Sequence, residues 1–325
     1  MKKFIKICKK DQMELKGWLE KLLKAKYKDV INEDGFLYAR GDGKTPILLT
    51  AHMDTVHKET CREVNIFKGD GATIISSPQG IGGDDRCGIW MIYMILKKTK
   101  YRPSILFCED EEIGGVGSEK FTETQYINEL RELKYLVELD RANHNDAVYY
   151  DCGNLDFQDY IADTIGYKDA YGSFSDIGHL SPECDKASVN LSCGYYKAHT
   201  TDEYVIFEEM FNTFKAVKKL CALAKESEAY DYQEDRPYNN LYEYGLFGGN
   251  YNYNYNYDDD EIFLEEEKST YEIVFKATDG KEDYYYVDAV SYEEALGYWM
   301  LDNPTRCYGD LIDYSRVDDI GLKVG

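Results

Sequence analysis

The chain has 325 residues, of which 61 are Asp or Glu and 38 are Lys or Arg, and its formal net charge is −23 at pH 7. This charge disfavours nucleic acid and anionic membrane surfaces as partners, because both require basic protein surface. The length is sufficient for two domains, or for one large domain with a full core.

The nine cysteines form no CxxC pair, which excludes the usual zinc-finger and thioredoxin signatures. The basic N-terminal segment, residues 1–12, contains an apolar stretch too short for a signal peptide. The longest apolar run, residues 89–96, is too short to cross a bilayer. A reducing cytoplasm is therefore the expected compartment.

Strands and helices alternate along the first half of the chain. Apolar residues at helical spacing predict a helix over residues 11–27, with Asp11 as its N-cap. An Asp-Gly turn predicts a hairpin that pairs residues 30–31 with residues 36–38. Further strands are predicted at 47–49, 63–69, 72–76, 104–108 and 135–139. Further helices are predicted at 86–98 and at 119–126, the latter capped by Ser118.

The pattern continues with strands at 147–151 and 187–193 and an amphipathic helix at 207–225. It predicts an α/β fold: a mostly parallel, twisted sheet with helices on both faces. This first domain would span residues 1–228. Residues 229–262, which contain the repeat NYNYNYNY, are interpreted as a low-complexity linker. Residues 263–325 predict a small α+β domain with strands at 270–276, 284–289 and 311–317 and a helix at 292–300.

Acidic and histidine residues cluster where the predicted strands end. The strand at 47–49 runs into His52-Met53-Asp54, and residues two apart on a strand point to the same side, so His52 and Asp54 can share one site. The later clusters are Asp84-Asp85, Glu111-Glu112, Asp140 and His199. Because ligands bind beyond the carboxyl ends of parallel strands, these residues are expected to converge.

These residue types suit a metal-dependent hydrolase. Two metal ions lower the pKa of a water molecule and polarise a carbonyl group. Such a pair needs a bridging carboxylate, terminal imidazoles and carboxylates, and one free carboxylate that accepts a proton. The chain offers each type, whereas it has neither HExxH nor GxSxG, so single-zinc and serine hydrolases lack support.

The order of the motifs AHMDTV, GGDDRCG, EDEEIGGVGS, ELD and AHTTDEYV resembles the co-catalytic di-zinc exopeptidase superfamily. That superfamily includes peptidase T-like tripeptidases, related carboxypeptidases, aminoacylases and zinc aminopeptidases. The resemblance covers residues 11–225. It implies that His52 and Asp140 bind one zinc ion, that Glu112 and His199 bind a second, and that Asp84 bridges the two.

The resemblance also implies roles for acids that are not ligands. Asp54 would orient His52, Glu111 would be the general base, and Asp85 would be structural. The expected cofactor is two Zn²⁺ per chain, although mixed histidine and carboxylate sites also accept Co²⁺ or Mn²⁺.

The chain departs from many relatives in the segment before the last histidine. Those relatives insert a lid domain that mediates dimerisation, and residues 141–198 are too few for one. The architecture therefore resembles that of the lidless aminopeptidases. Residues 172–181 are a candidate substrate-facing loop, with an ordinary polar loop as the alternative; its possible contacts are Ser175, Asp176 and His179.

Three polar residues near the motifs have simpler interpretations. His57 and His144 are expected at the surface, His57 near the mouth of the site. Arg141 would hold a substrate carboxylate or form a structural salt bridge.

The leading hypothesis is a cytoplasmic zinc aminopeptidase, or a di- or tripeptidase, that acts on small peptides. An N-acyl amino acid deacylase or a carboxypeptidase would use the same site, but it needs a cation for the substrate carboxylate, and few cations lie near the motifs. A third hypothesis is a non-catalytic metal-binding or adaptor protein that acts through its acidic tail. The substrate side chain and the oligomeric state stay open.

Overall fold

The computed structural model describes residues 1–69, 71–172 and 174–234, and the backbone of three strands near the C-terminus. Its helices are α1 (Lys2–Cys8), α2 (Gln12–Lys24), α3 (Gly83–Lys98), α4 (Val116–Thr122), α5 (Ile127–Leu130), α6 (Leu155–Ile165), α7 (Asp176–Cys184) and α8 (Phe207–Leu223). A 3₁₀ turn spans Glu111–Ile113.

The strands follow the same chain order. They are β1 (Val30–Glu33), β2 (Phe36–Ala39), β3 (Leu48–His52), β4 (Asn65–Lys68), β5 (Thr73–Ser76), β6 (Ser104–Cys108), β7 (Leu136–Arg141), β8 (Asp146–Val148), β9 (Lys168–Ala170), β10 (Ser188–Ser192), β11 (Tyr195–Tyr196), β12 (Tyr204–Ile206), β13 (Ser269–Lys276), β14 (Glu282–Ala289) and β15 (Leu311–Arg316).

The main sheet has eight strands in the order β1-β2-β6-β3-β7-β10-β8-β9. Its centre is parallel, because β6 pairs with β3, β3 with β7 and β7 with β10 in the same direction. The pairs β1–β2, β2–β6 and β10–β8 are antiparallel, and β8–β9 is parallel. The predicted α/β fold with a mostly parallel sheet is confirmed.

Helices cover both faces of this sheet, as predicted. Alternate residues of β3 enter different cores, Leu49 and Ala51 on one face and Leu48 on the other, because neighbouring side chains on a strand point to opposite sides. The larger core receives apolar side chains from α1, α2, α3, α6 and α8. The smaller core receives them from α4, α5 and α7. A strand buried on both faces explains the continuous apolar runs of the sequence.

Most predicted elements near the motifs are found with shifted ends. Helix α2 has the predicted cap, since the Asp11 carboxylate accepts a hydrogen bond from Glu14 N at 2.8 Å. Residues 30–33 and 36–39 form the predicted antiparallel hairpin. In α3, Asp84 and Asp85 have non-helical backbone angles, so regular helix begins at Arg86 as predicted.

Several local predictions were wrong or incomplete. Ser118 does not cap its helix, because α4 already begins at Val116 and the Ser118 hydroxyl donates to Gly115 O at 2.8 Å. Helices α1 and α6 were not predicted from the sequence, although Phe4 and Phe157 anchor them in the larger core. Residues 176–181 are not a loop but belong to α7.

The remaining strands form two smaller sheets. One has the order β11-β12-β5-β4, and the other is the antiparallel sheet β14-β13-β15. The predicted helix at 292–300 and residues 235–262 of the predicted linker lie outside the described residues, and the predicted domain boundaries stay predictions. No helix among the described residues combines the length and the apolar character needed to cross a membrane.

Candidate metal centre

The predicted site residues lie at one edge of the main sheet. The adjacent parallel strands β6, β3 and β7 end at Cys108, His52 and Arg141. The acidic segment that begins at Glu109 therefore starts beside His52, and Asp140 lies at the end of the next strand. Asp84 reaches the same place from the start of α3.

His52 is completely buried and contacts three carboxylates. Its Nδ1 lies 3.1 Å from Asp54 Oδ1, and its Nε2 lies 2.9 Å from Asp84 Oδ1 and 3.3 Å from Asp140 Oδ1. Burial alone would lower the pKa of His52, but Asp140, Asp54 and Asp84 together raise this pKa well above its usual value. The imidazole therefore sits in a strongly negative environment.

His199 faces the other oxygen of Asp84. Its Nε2 lies 3.1 Å from Asp84 Oδ2 and 3.0 Å from Glu112 Oε2. The hydrogen bond that it donates to Asp84 raises the pKa of His199 to about 9. Asp84 thus separates two small groups, each with one imidazole and one further carboxylate. The peptide bond from Asp84 to Asp85 is cis.

Asp54 connects two of the motifs. Besides the contact with His52, its carboxylate accepts hydrogen bonds from Glu111 N at 3.1 Å and Glu112 N at 3.0 Å. One carboxylate therefore fixes both the imidazole ring and the backbone of the turn that carries the two glutamates.

Glu111 differs from its neighbours because its carboxylate has no hydrogen bond or ion pair within the described part of the chain. Burial raises the pKa of Glu111 to about 8 against the opposing charge of His52, and the charges of Asp176, Asp84 and Glu112 add to the effect of burial. A carboxylate without a partner beside this centre is available to take up a proton.

Asp85 forms its hydrogen bonds with backbone amides and not with a histidine ring. Its oxygens accept hydrogen bonds from Gly88 N at 2.8 Å and from His52 N at 3.2 Å. It thereby ties the start of α3 to the end of β3. One of its oxygens also lies within 4.8 Å of ligand atoms of His52 and Asp140.

The donor set is of the kind that holds divalent cations. Two overlapping groups, both of which include His52, have ligand atoms within 4.8 Å of one another: His52 with Asp84 and Glu112, and His52 with Asp85 and Asp140. Glu112 Oε1 is buried without a hydrogen bond, and Asp140 Oδ1 has only the 3.3 Å contact with His52 Nε2. Burial and the charge of Asp84 raise the pKa of Asp140 well above its usual value. Buried carboxylates in excess of cations are costly, and metal ions would compensate them.

Sequence reasoning assigned no role to two buried acids beside this centre, Glu203 and Glu138. Glu203 is completely buried, and it accepts hydrogen bonds from Gly82 N at 2.8 Å and Asp84 N at 3.0 Å. Glu138 accepts hydrogen bonds from the Ser175 hydroxyl and from Ile177 N. Asp176, which the sequence suggested as a possible substrate contact, is also completely buried.

Both of the missed acids left a signal in the sequence. Glu138 precedes Asp140 by two residues, so strand periodicity places both on the same side of β7. Glu203 follows His199 by four residues within the same motif.

The remaining candidates take different positions. His57 is not at the surface: its side chain is only 10% exposed, and its Nε2 lies 2.8 Å from Glu203 Oε2. His144 is exposed, with Nδ1 2.8 Å from the Tyr196 hydroxyl. Arg141 Nε lies 4.0 Å from Asp146, the arrangement of a salt bridge.

The candidate loop contributes one residue near the centre. Ser175 lies 3.4 Å from Asp140 Oδ2, whereas His179 contacts the Ser118 hydroxyl at 3.1 Å. The eight cysteines among the described residues are unpaired and buried.

The fold is shared with solved peptidase structures. A tripeptidase from Staphylococcus aureus subsp. aureus Mu50 superposes with a TM-score of 0.55 at 15% sequence identity, over 69% of this chain and 97% of that chain. Aminopeptidase PepT from Bacillus cereus ATCC 10987 gives a TM-score of 0.53 at 16% identity, over 68% and 96%. No protein-family model matches the chain. The search of curated proteins also found no match. The expected resemblance is thus confirmed at the level of the fold, which this chain shares with a tripeptidase and an aminopeptidase.

Proposed function

We propose that the chain is a metal-dependent exopeptidase that hydrolyses an amide bond of small peptides. The observation that carries this proposal is the position of Asp84, whose two oxygens face two different imidazoles, 2.9 Å from His52 and 3.1 Å from His199. A carboxylate shared in this way is what a two-metal site requires. The fold shared with a tripeptidase and an aminopeptidase supports the same class.

The ligands divide into two sets around Asp84. His52 and Asp140 would hold one ion together with one oxygen of Asp84, and His199 and Glu112 would hold the second with the other oxygen. Zinc suits these nitrogen and oxygen donors, and cobalt or manganese are alternatives. When bound, such ions supply Lewis acidity that activates water and polarises the scissile carbonyl.

Each remaining residue has a role that follows from its contacts. Asp54 accepts a hydrogen bond from the Nδ1–H group of His52, so that Nε2 carries the lone pair that would bind a metal ion. Glu111, which has no partner in the described residues, accepts the proton of the attacking water and returns it to the nitrogen of the leaving group.

The charge of the site favours substrates with a free α-amino group. The side chains around the ligands are mainly carboxylates, including Glu111, Glu138 and Asp176, and a negative surrounding potential attracts a cationic terminus. A deacylase or a carboxypeptidase would need a cation for its substrate carboxylate, and Arg141 is already placed against Asp146. An aminopeptidase or a di- or tripeptidase is therefore the preferred assignment.

The test combines metal content with substrate choice. Elemental analysis should give two metal ions per chain, and peptides with a free amino terminus should be cleaved, whereas amino-blocked peptides should not. Cleavage of N-acetyl amino acids would instead indicate a deacylase. Absence of both metal and turnover after reconstitution with zinc, cobalt and manganese would refute the proposal and favour an adaptor role for the acidic tail.

A further inference from the structure

Large apolar side chains in the described part of the chain are mostly buried, but two that adjoin the candidate metal centre are exposed. Ile113 directly follows the proposed ligand Glu112, and 74% of its surface is exposed. Phe174 directly precedes Ser175, whose hydroxyl lies 3.4 Å from Asp140 Oδ2, and 42% of its surface is exposed. Each side chain is therefore one residue away from a group of the centre.

The ring of Phe174 packs closely against the segment that follows the two glutamates. An added Cβ at Gly115 would lie 2.7 Å from Phe174 Cζ, so glycine allows this approach without displacement of the ring. Gly114 N and Gly115 N each donate to Glu111 O at 2.9 Å. Phe174 therefore lies against backbone that is folded onto Glu111, the proposed base.

His179 supports the same ring at a second contact. The two rings meet edge to face, with their centroids 5.3 Å apart and an interplanar angle of 70°. The Ser118 hydroxyl donates to Gly115 O at 2.8 Å, so His179 Nδ1, which lies 3.1 Å from that hydroxyl oxygen, is the donor to it. The partly exposed ring of Phe174 is thus held in one position.

Ile113 lies close to this ring along the chain. Two peptide units separate it from Gly115, so their Cα atoms are at most about 7 Å apart. At Gly114, between them, an added Cβ would meet none of the described residues within 4 Å, so the space beside the backbone is open there. We call Ile113, Phe174 and the open space at Gly114 the apolar patch.

We propose that the apolar patch binds an apolar side chain of the peptide substrate, from a residue beside the scissile bond, so that Ile113 and Phe174 select substrates such as leucine peptides. The scissile bond in this assignment rests on the proposed function. The Cα atoms on the two sides of a peptide bond are about 3.8 Å apart. A substrate whose scissile carbonyl lies beside Glu111 therefore places a neighbouring side chain close to the patch.

The patch offers a substrate carbon surface rather than charge. The acids Glu138 and Asp176 are completely buried, so they act on a substrate only through their field. Removal of apolar surface from water is then the interaction that distinguishes one substrate side chain from another, and it increases with each added methylene group.

Steady-state kinetics on the metal-loaded full chain tests this preference, with tripeptides of the forms X-Ala-Ala and Ala-X-Ala in which X is Leu, Ala, Lys or Glu. Both forms are used because the apolar side chain can lie on either side of the scissile bond. We expect kcat/KM for leucine to exceed that for alanine by about tenfold or more at one of the two positions. Equal values for leucine and alanine at both positions, or a preference for lysine or glutamate over leucine at both, would overturn the proposal.

Substitutions in the patch locate the preference. Phe174→Ser and Ile113→Ser should each lower the leucine-to-alanine ratio of kcat/KM severalfold, and Phe174→Leu should restore most of it. The matched control is Leu155→Ser, because Leu155 is 69% exposed at the start of α6, a helix that packs into the larger core, whereas α7 packs into the smaller one. The control should keep the activity and the ratio of wild type. A wild-type ratio in both patch variants would contradict the assignment. If those variants instead changed the oligomeric state in light scattering and kept the ratio, the patch would be an interface between copies of the chain.

Binding measured without turnover separates this preference from the proposed function. Isothermal titration calorimetry on metal-loaded Glu111→Gln should give a Kd for the preferred leucine peptide about tenfold lower than for Ala-Ala-Ala, and Phe174→Ser in the same background should reduce the difference. This binding preference without hydrolysis by wild type would refute the proposed function alone. Hydrolysis by wild type without the preference would refute the apolar patch alone, and absence of both binding and hydrolysis would refute both.

Discussion

Replacement of Glu203 by glutamine perturbs the metal centre without touching a ligand side chain. Glu203 Oε2 accepts hydrogen bonds from Gly82 N at 2.8 Å and from His57 Nε2 at 2.8 Å, and Oε1 accepts one from Asp84 N at 3.0 Å. A glutamine keeps an acceptor on only one side. In either orientation its NH₂ group therefore faces a backbone N–H, which loses its partner in a completely buried place.

The expected loss of metal affinity follows from the free-energy cost of a buried N–H group that has no acceptor. A buried polar group that loses its partner costs about 1–3 kcal/mol. If about 2 kcal/mol of this cost destabilises the metal-bound state, the affinity for metal decreases roughly 30-fold, since about 1.4 kcal/mol corresponds to a tenfold change in affinity. This value lies within the roughly 10–100-fold range for groups that support metal ligands.

The assay is competition for zinc against a chromophoric chelator, together with the Tm of each protein. The matched control is Glu208→Gln, because Glu208 also accepts two hydrogen bonds, from Thr73 N at 2.6 Å and Thr73 Oγ1 at 2.9 Å, but contacts no proposed ligand within the described residues. The control should lower Tm and leave the zinc affinity unchanged. If E203Q lowers Tm as the control does and binds zinc as wild type does, the reasoning is refuted.

Three further predictions concern the base, the loop that holds Glu203, and the metal itself. Glu111→Gln should retain two metal ions by elemental analysis while kcat falls by roughly 10²–10⁴-fold; wild-type turnover would exclude Glu111 as the base. Gly80→Ala should lower Tm more than Gly43→Ala does. Both glycines have positive φ, but only at Gly80 would the new Cβ lie 2.2 Å from the ring of His57. Equal Tm values for the two variants would contradict the close packing of Gly80 against His57. Treatment with a chelator should lower the Tm of the wild type and should lower the Tm of Asp84→Asn much less, because only a protein that binds metal gains stability from it. An equal decrease in the Tm of both proteins, measured by thermal denaturation, would count against Asp84 as the shared ligand.

The central fold and the proximity of the motif residues could be predicted because their signals are local. His52 and Asp54 follow an apolar run, and their two-residue spacing predicted that they share one site, although β3 ends at His52. The carboxyl ends of parallel strands meet at one edge of a sheet, so Asp140 was expected to converge with them. The strand order that places β7 directly beside β3 comes from the structure.

The supporting acids could not be assigned in this way because their role depends on tertiary contacts. The sequence does not distinguish Glu203 from the many other acids of the chain. Only the folded loop brings Gly82 N and Asp84 N within hydrogen-bond distance of its carboxylate. Helix α7 was missed for a related reason. Its sequence, DIGHLSPEC, contains Gly178 and Pro182, two poor helix formers, and packing of Ile177 and Leu180 in the smaller core stabilises the helix nonetheless.

The candidate centre contains buried acids beyond the proposed ligand set. Asp54 holds the amides of Glu111 and Glu112, Glu203 holds that of Asp84, and Asp85 holds that of His52. In each case a carboxylate that is not a proposed ligand fixes the backbone of a residue that carries the proposed chemistry. An amide held by an ionised acceptor is restrained more strongly than one held by a neutral group. The cost of burying these charges is then offset jointly by the amides and by the cations that the ligands would bind. Removal of the metal should therefore loosen the loops that these acids hold together.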